Sequence, residues 1–201
     1  MPASFHQDAT GPMTYPARWT LNRLLFKSPV IWWRMGLRPL LWRRMILVTT
    51  WGRKSRLPRH TMLSYTLDAG KAYLISGWGE RAHWYRNTMA DPHITAHLGG
   101  RPYTAIARRV QDVEEYARVM QIMLRSGGDS HFGPWLRSLG IKYELDDLVG
   151  KRDRVFLVAL DPTDEAGPPA MRSDLSWVWA AMLLALAVGV ALLWQNILAA
   201  R

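Results

Sequence analysis

The chain contains no cysteine. That excludes disulfides, thiolate metal sites and cysteine nucleophiles, and it leaves the compartment open. Several short catalytic motifs are missing too: there is no H-E-x-x-H, no G-x-S-x-G elbow, no Walker loop and no G-x-G-x-x-G, and Ser76 to Glu80 (SGWGE) is only a weak glycine pattern. His83, His93 and His97 lie close in sequence, but no acids or thiols accompany them at ligand spacing. They read as structural or surface histidines, and no metal is expected. No internal repeat is visible.

Acidic residues are scarce in the first half. Residues 1–110 carry 17 Lys and Arg against 4 Asp and Glu, whereas residues 111–201 carry 9 against 12. The N-terminal half therefore faces an anion, which suits nucleic acid, an anionic membrane surface or a polyanionic cofactor. Nucleic acid is not expected, because the chain shows neither a recognition-helix signature nor an RNP-like strand. With 201 residues, 49% of them apolar, the chain fits one domain plus an appendage.

The appendage is legible. Leu175 to Ala200 (LSWVWAAMLLALAVGVALLWQNILAA) runs without a charge, longer than the roughly 20 residues that cross a bilayer's hydrocarbon core. Trp177, Trp179 and Trp194 lie near its ends, where indole prefers the headgroup boundary. We read residues 175–200 as a single transmembrane helix, in preference to a buried core helix. The first residues, MPASFHQDATGPMTYPARW, have no apolar signal-peptide region. The basic flank precedes the span, so the positive-inside rule places the globular part in the cytoplasm, at the cell membrane. Residues 161–174 (DPTDEAGPPAMRSD) are polar and proline-rich, as a linker would be.

Residues 1–43 form a basic, aromatic segment. Within it, Trp19, Leu21, Leu24 and Leu25 alternate with Arg18, Arg23 and Lys27 at roughly helical spacing, and Pro29 and Pro39 are expected to break it into short pieces. A helix lying on anionic lipid and a helix packed on the domain fit this pattern equally well.

Residues 44–160 read as a compact, mainly β (α+β) domain. Met45–Thr50, Arg59–Leu67 and Ala72–Ser76 are strand-like and predict a meander, with Asp68–Lys71 as a turn. A short helix over Glu80–Pro92, strands His93–Leu98 and Tyr103–Val110, a helix from Asp112, short helix and loop over Pro134–Asp153, and a last strand Arg154–Leu160 complete the list. Six strands joined by short connections predict a barrel with peripheral helices rather than a doubly wound sheet.

Between the first two strands lies Trp51 to His60, WGRKSRLPRH. A tight turn of Gly52, Arg53, Lys54 and Ser55 offers backbone N–H groups, a hydroxyl and two cations in a small concavity, which suits a phosphate or carboxylate. A solvated basic hairpin fits the same composition.

The stretches TTWGRKSRLPRHTMLSY, YLISGWG and HWYRNTMADPHITAHLGGRPY, in that order, resemble the deazaflavin (F420)-dependent nitroreductase family. The resemblance covers residues 40–125 well and Arg154 to Pro162 more loosely. It implies a split β-barrel, here six-stranded, and coenzyme F420 as the cofactor, with FMN the alternative. By the same resemblance Gly52, Arg53, Lys54 and Ser55 would hold the cofactor's phosphate and glutamyl tail, with Arg59 adding charge. Ser76, Gly77 and Trp78 would lie by the deazaflavin ring, and Trp84 and Asn87 would help to enclose it. Two departures stand out: Arg56 replaces the usual Gly after RKS, and Trp51 replaces a common Thr.

The implied reaction is hydride transfer between reduced deazaflavin and an apolar, membrane-soluble acceptor such as a quinone, with Ser76, Tyr65 or water offering the proton. The protein's part is orientation and electrostatics. A non-catalytic F420 or lipid carrier, or an FMN- or haem-binding protein on the same barrel, remains the alternative. The expected partners are the bilayer, a hydrophobic small molecule and a second copy in a homodimer, since barrels of this kind often pair.

Overall fold

The computed structural model describes residues 21–37, 45–99 and 101–199. Arg18, Trp19, Pro39 and Ala200, named above, lie outside the described residues.

Seven strands form one sheet: β1 (Met45–Trp51), β2 (Pro58–Ser64), β3 (Thr66–Asp68), β4 (Lys71–Ser76), β5 (His93–Leu98), β6 (Arg101–Arg109) and β7 (Phe156–Pro162). Their order is β2-β1-β5-β6-β7-β4-β3, and every pairing is antiparallel. The expected count of six is corrected by the run Arg59–Leu67, which divides at Tyr65 into two strands. β2 pairs with β1, while β3 pairs with β4, so the expected meander does not form. The two edges of the sheet are thus one run of chain bent at Tyr65, and the sheet curls on itself.

Alternation along the strands builds two faces. On the inner face Ile46, Val48, Leu74, Ile94, Ala96 and Leu160 pack with Trp84 and Tyr85 in one buried cluster. On the outer face Tyr73, Leu157 and Ala159 are covered by α3 (Val113–Gly127), α4 (Asp129–Ser138) and α5 (Leu145–Gly150) through Tyr116, Val119, Met120, Leu136 and Leu148. Asp112 caps α3 by accepting a hydrogen bond from the Glu115 amide at 2.7 Å. Glu115 in turn receives two N–H groups of Arg108 and the hydroxyl of Tyr73. Arg108 foremost holds the Glu115 carboxyl below its ordinary range.

A third cluster sits where β1 and β2 turn outward. α1 (Leu21–Arg34) runs through Pro29 without stopping, contrary to the break expected there. Burial of Trp33 against Leu47 and Met62 accompanies that continuity, and burying a large apolar side chain is worth roughly 1.5–3 kcal/mol. The missing proline N–H costs a comparable amount.

Residues 163–174 do not hang free of the domain. They cross the outer face of β5 and β6, where Thr104 and Thr95 donate to the carbonyls of Thr163 and Pro168. Gly167 lies so close to β5 that a Cβ would stand 2.8 Å from the Ile94 carbonyl oxygen. Met171 joins the Trp33 cluster, and Ser173 donates to the Trp33 carbonyl. The chain then enters α6 (Trp177–Ala199), whose segment Trp177–Asn196 is long and apolar enough to cross a membrane and is not buried against the rest of the molecule.

Candidate functional site

The β1–β2 turn and α2 (His83–Ala90) converge. Gly52 starts the turn: its N–H donates to the Leu57 carbonyl at 2.9 Å and its own carbonyl accepts from Arg56 at 2.7 Å. A Cβ at Gly52 would lie 2.6 Å from Ser55 Oγ and 3.1 Å from the Leu57 oxygen, so a larger residue would have to displace the Ser55 hydroxyl and crowd the turn. Arg56 follows at φ 53°, the left-handed conformation that favours glycine, and its guanidinium leans toward Asp91 at 3.7 Å. Lys54, Ser55, Arg56 and Leu57 are exposed, so the tip is not folded onto the core.

Arg53 is turned differently. Its amide and its guanidinium both donate to Asn87 Oδ1, at 3.3 and 3.2 Å, and one guanidinium nitrogen lies 3.4 Å from His83 Nδ1. Asn87 is buried, and its amide nitrogen donates to Thr50 Oγ1 at 3.1 Å. Ser55 Oγ accepts from Arg59 at 3.0 Å and faces the Leu57 amide at 3.4 Å. The amides of Gly52, Arg53, Arg56 and Leu57 are thus engaged within the protein. An anion here meets side-chain cations more than an open nest of main-chain N–H groups.

A second loop lies between β4 and α2. Ser76 is buried and donates to the Gly79 carbonyl at 2.6 Å, which folds Ser76–Gly79 into a tight corner. Gly79, at φ 53°, stands over Phe156, where a Cβ would meet the ring at 3.1 Å. Phe156 also contacts Tyr85 edge-on and lies under the Arg109 guanidinium, 4.3 Å from the ring centroid. Trp135 on α4 donates its indole N–H to the Gly77 carbonyl at 3.1 Å, bracing the loop from outside. Trp78 is half-buried, and Trp84 lies in the barrel interior edge-on to Tyr85. Tyr65, the other hydroxyl named for proton delivery, packs half-buried against that interior at the β2–β3 bend.

Sequence reasoning therefore named groups that meet: Gly52, Arg53, Ser55 and Arg59 with Asn87 in one place, and Ser76, Gly77 and Trp78 in the adjoining loop. It missed His83, Thr50 and Trp135. His83 was within reach, since it precedes Asn87 by one helical turn and so shares its face. Nothing in the sequence around Trp135 announces its contact with Gly77.

Residues 37–130 match the sequence model described as F420H(2)-dependent quinone reductase. F420H(2)-dependent quinone reductases from two strains of Mycobacterium tuberculosis, CDC 1551 and H37Rv, are each 36% identical over 83 residues, 39% of this chain and 55% of theirs. The chain thus spans about half the length of these curated relatives. A solved F420-H2 dependent reductase is 20% identical, with a TM-score of 0.45, over 59% of this chain and 95% of that one. The hairpin, the glycine corner and α2 all fall inside the segment, residues 37–130, that is similar to the F420H(2)-dependent quinone reductase family.

Proposed function

We propose that this protein is an oxidoreductase that uses reduced coenzyme F420 to pass a hydride to an apolar, membrane-soluble acceptor such as a quinone. The observation that carries the reading is the bond set of Asn87, which joins the basic hairpin to α2 through Arg53 and Thr50. It makes one surface of two sequence motifs that are far apart in the chain.

The residues fit the cofactor's charge. Arg53, Lys54, Arg56 and Arg59 stand together without an acid between residues 52 and 60, and phosphate and carboxylate groups are bound by such guanidinium and ammonium donors. Arg53 and Arg59 are pre-oriented by Asn87 and Ser55, so less side-chain freedom is lost on binding. In this reading Ser76, Gly77 and Trp78 lie by the deazaflavin ring, and Trp84 and Asn87 help to enclose it. When bound, the reduced deazaflavin supplies the hydride. The protein would hold the arm through Arg53, Lys54, Ser55 and Arg59 and would keep water from one side of the ring with Trp78 and Trp84. Ser76 donates to the Gly79 carbonyl and shapes the loop, and Ser76, Tyr65 or water would return a proton to the acceptor.

α6 supports the choice of an apolar acceptor. A domain tethered by such a helix meets membrane-dissolved molecules at high local concentration. The test uses the full chain in detergent: titration with oxidised F420 and with FMN by fluorescence, then mixing with reduced F420 and a menaquinone analogue. F420 binding and quinone-dependent oxidation of reduced F420 are expected. Binding of FMN alone would remove the deazaflavin reading, and F420 binding without turnover would make the protein a carrier.

A further inference from the structure

We propose that the C-terminal end of α1 is a second membrane contact, with Ile31 and Trp32 seated in the headgroup layer of the phospholipid bilayer that α6 enters. The inference rests on the reading of α6 as a membrane span.

One side of α1 is accounted for: Trp33 is fully buried over Leu47 and Met62, with Val30 and Met171 beside it. Ile31 and Trp32 point elsewhere and are 41% and 47% exposed. Trp177 and Trp179, at the start of α6, are 64% and 38% exposed.

The two helices are held in fixed register. Arg34 donates two N–H groups to the two oxygens of Asp174, at 2.7 and 2.6 Å. The Leu175 amide donates to the Arg34 carbonyl at 3.1 Å, and the Trp179 indole N–H donates to the Met35 carbonyl at 2.7 Å. Trp179 lies two residues into α6, about 3 Å along its axis. An indole at that level belongs at the headgroup boundary. Its hydrogen-bond partner, Met35, must then lie there too.

Ile31 is one helical turn from Met35, whose amide donates to the Ile31 carbonyl at 2.9 Å, and the Leu37 amide reaches the Trp32 carbonyl at 3.0 Å. The backbones of Ile31 and Trp32 therefore lie within about one 5.4 Å helical turn of Met35. An indole and a branched aliphatic group at this depth match the interfacial layer, where each finds apolar and polar surroundings together. A soluble protein partner would have to reach the same spot among the headgroups, so lipid is the occupant the geometry favours.

The absence of cysteine makes the test direct. Trp32→Cys and Ile31→Cys, each carrying one nitroxide, are placed in the full chain in phosphatidylcholine–phosphatidylglycerol vesicles. Leu67→Cys, at a site 47% exposed on β3, serves as the aqueous reference. Collisions with a water-soluble nickel chelate, relative to oxygen, are expected to be several-fold lower at positions 31 and 32 than at 67. Ratios at both positions equal to that at 67, in protein that stays with the vesicles through an alkaline wash, would overturn the contact and leave the α6 anchor standing. Protein that washes off would overturn both.

Discussion

A single oxygen, Oδ1 of Asn87, receives both the main-chain N–H and the guanidinium of Arg53, at 3.3 and 3.2 Å. The other end of the same amide reaches Thr50 on the strand that leads into the turn. One buried side chain on α2 thereby sets both the position of the hairpin and the direction of its first cation.

Asn87→Ala should loosen that junction. It leaves a buried Thr50 hydroxyl and the Arg53 amide without their partner, at a cost of about 1–3 kcal/mol. Denaturant unfolding should show the loss, and F420 affinity should fall with it. Unchanged affinity in a destabilised variant would separate the junction from cofactor binding.

In the proposed binding mode Arg53 and Lys54 supply the electrostatic part. Exposed ion contacts are worth up to about 1 kcal/mol each, so Arg53→Ala with Lys54→Ala should weaken F420 binding, by up to about thirtyfold. The dependence of affinity on salt should flatten as well, because fewer ionic contacts remain to be screened. Titrations at two ionic strengths measure both effects.

Turn chemistry offers a stabilising change. Ala69, between β3 and β4, sits at φ 47° beside Gly70 at φ 78°. The left-handed conformation costs an L-residue roughly 1–2 kcal/mol, part of which glycine returns through its larger unfolded-state entropy. Ala69→Gly is expected to raise stability by up to about 1 kcal/mol, read as a higher denaturant midpoint with an unchanged slope.

His93 should make the strap over the sheet pH-sensitive. Its Nδ1 lies 2.9 Å from Asp91 and its Nε2 lies 2.9 Å from Glu165, so only the imidazolium donates to both. These hydrogen bonds, Asp91's first, raise its pKa above the ordinary 6.5, and the Arg56 guanidinium faces the same Asp91. With the folded value above the unfolded one, the contribution is complete below about 6.5 and drains away as pH rises through the folded pKa. The protection of the amides of residues 163–167, that is their exchange relative to the intrinsic base-catalysed rate at each pH, should therefore fall as pH is raised from about 6 to about 8. His93→Gln should flatten the profile.

Much of the curled sheet was legible because local signals agreed. β5 falls on His93–Leu98 as the alternation of HITAHL indicates, and Asp112 starts α3 as an N-cap should. The division at Tyr65 was not legible, since LSYTLD alternates straight through it and only the need to serve two sheet edges bends the chain there. Pro29 read as a break because sequence shows the lost hydrogen bond but not the packing of Trp33. Residues 161–174 read as a linker from their polarity and proline, and the contact of Gly167 with Ile94, made by backbone, left no mark in the sequence. At the site, the motif pointed to Arg53 and Asn87 separately, and their meeting is a property of the fold.

β7 lies between β6 and β4, so it joins β2-β1-β5-β6 to β4-β3. A nascent chain released up to α5 would hold two ribbons with unpaired inner margins, on β6 and on β4. Such margins invite association with other chains. Biosynthesis is then most vulnerable in the interval before Phe156–Pro162 leaves the ribosome, and a chaperone that shields strand margins would act in that interval.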